Sequence, residues 1–193
     1  MAAKNSLQRT EIRLAGEGGQ GMILAGIILA EAAAIYDGKN VVQTQSYGPE
    51  ARGGASKSEV IIADGEIDYP EVISADMLMV MSQEACDKYA STLKKSGLLI
   101  VDPDKVGRVP TTRAVKVPIV KLAVEATGKA ITANVVALGV LVGLTQVVSC
   151  DAIEKAVTAR APKGTEELNR TALAAGFAAA EQLLREKALT APA

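Results

Sequence analysis

Gly16-Glu17-Gly18-Gly19-Gln20-Gly21 satisfies the spacing G-x-G-x-x-G. Between a strand and a helix, such a turn aims backbone N–H groups and the positive end of a helix at a phosphate or carboxylate. A dinucleotide site also needs an acidic residue about 20 positions on, at the end of the second strand, to hold the ribose hydroxyls. Asp37 comes before that strand, which ends at Gln43-Thr44-Gln45, so the nicotinamide or flavin reading lacks its second requirement. Two readings of the glycines remain. They allow a tight strand-to-helix turn with close packing, or they seat an anionic group of a ligand or partner.

A second stretch, Gln45 to Ser56, sets Tyr47, Glu50 and Arg52 among Gly48, Pro49, Gly53 and Gly54, with Ser46 and Ser56 at its ends. Loops of this composition commonly carry binding groups on a rigid scaffold. Following the second strand of a parallel sheet, it should stand at the same carboxyl edge as the glycine turn, so that both face one site. Arg52 could then hold a carboxylate or phosphate by a bidentate pair, while Tyr47 could stack or donate a hydrogen bond. The plainer reading is a Glu50–Arg52 pair on an ordered surface turn. No catalytic residue is assigned in either stretch.

Composition narrows the chemistry further. The chain has no histidine, which removes His-dependent triads and His-containing zinc sites. Cys86 and Cys150 lie far apart and form no C-x-x-C, so a cluster or zinc site is not expected on this chain alone, and a reduced cytoplasmic protein is. With 21 basic and 22 acidic residues, nothing attracts nucleic acid or an anionic membrane broadly. Met1 to Thr10 is polar, with no apolar run after it, and reads as a short lead-in rather than a signal peptide. Ala130 to Cys150 is uncharged, but Thr132, Asn134, Thr145, Gln146 and Ser149 interrupt it, so it is expected as a buried or interfacial helix rather than a membrane span.

The elements that must position these stretches follow from the pattern. Strands are expected at Glu11–Gly16, Lys39–Gln45, Ser56–Ala63, Asp76–Ser82, Gly97–Val101 and Arg113–Val117. Helices are expected at Met22–Tyr36 and Gln83–Leu93, after Pro118, from a cap at Asn134 to about Val148, at Asp151–Ala161, and from Thr165 to Ala188. An aromatic content of only 3% leaves Ala, Val, Ile and Leu to fill the core, as suits helices on a parallel sheet. The expectation is one α/β domain over residues 1–193: a Rossmann-like three-layer sandwich with a mostly parallel sheet and a helical C-terminal part.

Taken together, the GxGGQG turn, Ser46-Tyr47-Gly48-Pro49-Glu50-Ala51-Arg52-Gly53-Gly54 with Ser56, Ile67-Asp68-Tyr69-Pro70, Thr132-Ala133-Asn134 and Pro162-Lys163-Gly164 resemble the gamma subunit of 2-oxoacid:ferredoxin oxidoreductases. The form Tyr47 to Gly54 is most similar to the 2-oxoglutarate branch; indolepyruvate, pyruvate and branched-chain 2-oxoacids are the nearest alternatives. The resemblance implies coenzyme A-dependent oxidative decarboxylation of a 2-oxoacid, with electrons passed to ferredoxin. It also implies that thiamine diphosphate, Mg and iron–sulfur clusters sit in alpha and beta subunits, with or without a ferredoxin-like delta subunit. This chain would be inactive alone and bind none of those cofactors. It would place Gly16, Gly18 to Gly21 and the Ser46–Ser56 loop near a coenzyme A cleft or a subunit interface. A purely structural docking subunit is the other reading.

Overall fold

The computed structural model describes residues 9–47, 54–111 and 113–190, with side chains to 186. Six strands form one sheet: β1 (Arg9–Glu17), β2 (Asn40–Ser46), β3 (Ala55–Ala63), β4 (Ala75–Val80), β5 (Leu93–Val101) and β6 (Val115–Lys116). Their order is β2-β3-β1-β4-β5-β6. The β1–β4, β4–β5 and β5–β6 pairs are parallel, while β3 runs antiparallel to both β2 and β1. Five strands therefore share one direction and only β3 opposes it, as expected of a mostly parallel sheet with helices on both faces. No strand order was expected from the pattern; in the structure β3 separates β2 from β1. The physical reason is connection length: parallel neighbours need a crossover of a dozen or more residues, whereas β2 and β3 are joined by only Tyr47 to Gly54.

Alternation along the strands divides the core. Ile12, Leu14, Val60, Ile62, Met79 and Ile100 face a large helical layer. That layer comprises α1 (Met22–Glu31, followed by a π turn at Ala32–Tyr36), α3 (Ile119–Thr127), α4 (Ala133–Thr145), α5 (Cys150–Arg160) and α6 (Glu166–Thr190). Ala15, Leu78, Val80, Leu99 and Val101 face the opposite side, covered by α2 (Gln83–Tyr89). Ser82 caps α2 by accepting from Ala85 N–H, and Ser149 caps α5 by accepting from Ala152 N–H. The carboxylate of Asp102, fully buried at the end of β5, accepts from Val120 N–H at 2.8 Å and so fixes where α3 begins after Pro118.

Every residue of α4 from Ala133 to Val142 is buried, which accounts for the uncharged run. Hydrophobic transfer contributes about 1.5–3 kcal/mol for each Val or Leu so enclosed. Gly139 and Gly176 let α4 and α6 touch backbone to backbone: a side chain on either would strike a carbonyl of the facing helix, Leu173 or Val136. Gly143 likewise packs on Phe177 and Ala180. These small residues thus serve close packing within the chain. The helix starts one residue before Asn134, with Thr132 as its cap, and stops at Thr145, where Gln146 turns left-handed (φ 51°). The expected cap at Asn134 is therefore corrected: its backbone is already helical. The expected strand at Arg113–Val117 shrinks to two residues, Val115–Lys116. Among the described residues no helix is long and apolar enough to cross a membrane.

Candidate functional site

The glycine turn and the ends of the β2–β3 connection meet at one edge of the sheet. Gly16 pairs with Ser56 across β1–β3, and Ser46 pairs with Lys57 across β2–β3, so three strands bring them to one level. Ser56, 6% exposed, donates its hydroxyl to the Gly16 carbonyl at 3.2 Å. Gln20 spans the turn: its Oε1 accepts from Glu17 N–H at 2.8 Å and its Nε2 donates to the Met81 carbonyl at 2.9 Å. Gly18 and Gly19 lie exposed at the tip. Gly21 (φ 75°) caps α1 with no side-chain hydrogen bond, so no side chain of the cap accepts from the first-turn N–H groups of α1.

Tyr47 is 69% exposed at the same edge, and Ser46 is exposed beside it. Gly54 (φ 74°) is buried at the start of β3, where Glu84 of α2 accepts from Ala55 N–H at 3.0 Å. Gly48, Pro49, Glu50, Ala51, Arg52 and Gly53 lie outside the described residues, so the anion-holding role expected of Arg52 has no geometry here.

Sequence reasoning missed the cleft that opens beside the turn. Gly19 and Gly21 form one lip of a cavity of about 390 Å³, walled by Leu24 and Ile28 of α1, Ile131 and Val135 around the start of α4, Val157 of α5 and Leu168 of α6. Its polar groups are few, as is usual in ligand clefts. Lys129 stands exposed on the rim, its ammonium without a carboxylate partner among the described residues. Arg160 is engaged by Glu31, with Nε–Oε2 at 2.8 Å, and that carboxylate raises the guanidinium pKa. Asn134 is 6% exposed and lies against Gly21: a side chain starting on Gly21 would sit 2.8 Å from the Asn134 amide nitrogen. The only hint in the sequence was that Thr132-Ala133-Asn134 and Pro162-Lys163-Gly164 are polar or glycine-bearing breaks that bound apolar helices.

Asp37, the one acid near the ribose-binding position, is committed elsewhere. Its carboxylate accepts from the Ser149 N–H and hydroxyl, both at 2.7 Å, bracing the cap of α5. Another cavity, of about 550 Å³, lies on the α2 side beside Cys86, Arg108 and Pro110, and the described residues of the two loops do not line it. Among the described residues no group of three His, Cys, Asp or Glu side chains is placed to hold a metal ion.

Fold, glycine turn and helical cleft define a Rossmann-like α/β domain with a cleft beside its glycine turn. Residues 11–179 match the pyruvate ferredoxin/flavodoxin oxidoreductase family, and the chain belongs to it. It is 51% identical over 179 residues to the 2-oxoglutarate synthase subunit KorC of Methanocaldococcus jannaschii, covering 91% of this chain and 96% of that protein. The keto/oxoacid ferredoxin oxidoreductase gamma subunit of Geobacter sulfurreducens has a similar structure, with TM-score 0.82, 52% identity, and coverage of 91% of this chain and 98% of that one. The fold also recurs in the 2-oxoglutarate:ferredoxin oxidoreductase of Magnetococcus marinus, solved with 2-oxoglutarate, coenzyme A and succinyl-CoA bound. There the TM-score is 0.80 at 22% identity, over 91% of this chain and 31% of that chain.

Proposed function

We propose that this chain is the gamma-type subunit of a multi-subunit 2-oxoglutarate:ferredoxin oxidoreductase, and that its sheet edge helps to bind coenzyme A. The reaction converts 2-oxoglutarate and coenzyme A to succinyl-CoA and CO2, with two electrons passed to ferredoxin. Thiamine diphosphate, Mg and the iron–sulfur clusters belong to partner alpha and beta subunits, with or without a ferredoxin-like delta subunit. When bound there, thiamine diphosphate supplies the electron sink for decarboxylation. The observation that carries the reading is the convergence of the glycine turn, the two ends of the β2–β3 connection and an apolar cleft at one edge of a chain without a metal-ligand cluster among its described residues. The 51% identity to a 2-oxoglutarate synthase subunit supports the choice of oxoacid.

The chain's own part is positioning. The uncapped first turn of α1 suits an anion, and Arg52, in the connection between β2 and β3, would add a bidentate donor. The test is a complex purified through this subunit and assayed for coenzyme A-dependent 2-oxoglutarate oxidation. Co-purifying catalytic subunits and 2-oxoglutarate-dependent acceptor reduction are expected; a chain recovered alone and active without partners refutes the reading. In the assembled complex, Arg52→Ala should raise the KM for coenzyme A while leaving assembly intact.

A further inference from the structure

We propose that the free edge of β2 pairs with the β2 edge of a second copy of this chain, joining two sheets into one across a two-fold axis. The proposal stands apart from the coenzyme A reading above.

The two edges of the sheet are built differently. At one, β6 has two residues and pairs with β5 only at Ile100 and Val101. The rest of that edge is guarded. The register of β5 shifts between its pairings with Ala75 and Met77, Lys94 and Lys95 lie in the shifted stretch, and Arg113 Nη2 donates to the Lys95 carbonyl at 2.9 Å. Irregular register, lysines and covered carbonyls are devices by which sheet edges turn away further strands. β2 has none of them. Asn40 to Ser46 holds no charge and no proline, and it pairs with β3 in unbroken register from Asn40–Ala63 to Ser46–Lys57. Among the described residues its other side pairs with no strand. Alternate residues of such a strand turn their N–H and C=O groups away from β3, which makes a template for one more strand.

The side chains around the edge indicate that the added strand is β2 of a second copy. Val41 packs on the main core, so alternation puts Gln43, Gln45 and Tyr47 on the same, helical face. The π turn Ala32–Tyr36 packs over that face beside the start of β2, with Ile35 66% exposed and Tyr36 39% exposed. Tyr47, 69% exposed, stands at the other end of the strand. A two-fold axis normal to the sheet keeps the helices of both copies on one face and sets the start of each β2 against the end of the other. Tyr47 of each copy then meets Ile35 and Tyr36 of the second, and apolar surface is covered at both ends of the joint. Because residues 40–46 are uncharged, no like charges oppose one another across the axis.

The test is sedimentation velocity of the full chain, together with hydrogen exchange. A species of twice the chain mass is expected, and exchange of the β2 amides should slow as concentration rises. Asn40→Lys with Gln45→Lys, both at exposed positions, should sediment as single chains, and so should Asn40→Glu with Gln45→Glu. An equimolar mixture of the lysine and glutamate variants should restore the double mass. A chain that sediments singly at every concentration, or a lysine variant that stays double, would overturn the proposal. Slowed exchange on β2 only when other subunits are present would also overturn it, assigning the edge to a strand of a different protein. If a variant fails to fold, the concentration dependence of exchange in the unaltered chain decides alone.

Discussion

The Arg13–Glu59 pair gives the sharpest stability test, because both charges lie inside the sheet's α2 face. Arg13 is 3% exposed and Glu59 7%. Arg13 Nε and Nη2 donate to Glu59 Oε1 at 2.8 and 2.5 Å, and Nη2 also donates to the Val72 carbonyl at 2.8 Å. The guanidinium lies 5.4 Å from the centre of the Tyr89 ring and contacts the Thr92 hydroxyl. Glu59→Ala leaves that cation without its buried carboxylate, a loss of roughly 3–5 kcal/mol. For a chain of this size each kcal/mol moves the melting point about 2–4 °C, so the expected fall is roughly 6–20 °C. Lys57, also on Glu59 at 2.9 Å but only partly covered, can turn its ammonium to water and adds little. Arg13→Leu combined with Glu59→Leu should recover much of the loss, because no charge is then stranded. What remains is roughly 1–3 kcal/mol for the Val72 carbonyl that Arg13 served. Differential scanning calorimetry of the full chain reads all three variants. A Glu59→Ala melting point within about 2 °C of the parent, or a double variant worse than the single, would refute the reasoning.

Gly176→Ala should separate α4 from α6, since its new methyl would meet the Val136 carbonyl; overpacking of this kind costs roughly 1–3 kcal/mol and is read as an earlier urea midpoint. Cys86, buried beneath α2, has its thiol pKa pushed up by burial and by the neighbouring Asp87, whereas Cys150 is exposed at the start of α5. Iodoacetamide at neutral pH should therefore label Cys150 first, with Cys86 labelled only on unfolding, as peptide mass spectrometry would show. Labelling of Cys86 at the same rate as Cys150 in the native chain would contradict the burial described for α2.

The strands and helices were legible because their apolar residues keep period, and the two loops because glycine and proline punctuate them. No strand order was assigned from the sequence, although the β2–β3 connection carries that information. Only Tyr47 to Gly54 separates β2 from β3, too few residues for a parallel crossover, so a hairpin was already implied. The near-continuous burial of β3 then marks it as the strand with neighbours on both sides, and the half-exposed β2 as the edge. The cleft was not legible in this way. Its walls come from residues 19–28, 129–135 and 157–169, which only the packing of α4 on α6 and α5 on α1 brings together. No local period encodes a site distributed over three segments.

The geometry also changes what the glycine motif means. In a dinucleotide fold the last glycine of G-x-G-x-x-G serves close helix–strand packing, and an acid after the second strand reads the ribose. Here β3 intervenes between β1 and β2, and Asp37 is spent on capping α5. Gly21 is required for two other reasons: its backbone is left-handed, and Asn134 occupies the space a side chain would need. The turn and the Thr132-Ala133-Asn134 segment are thus one structural unit, although 110 residues separate them. Any residue larger than glycine at position 21 displaces the Asn134 amide. The two motifs that carried the family resemblance separately therefore depend on each other physically, and the spacing that suggests a nucleotide fold instead shapes one wall of a helical cleft.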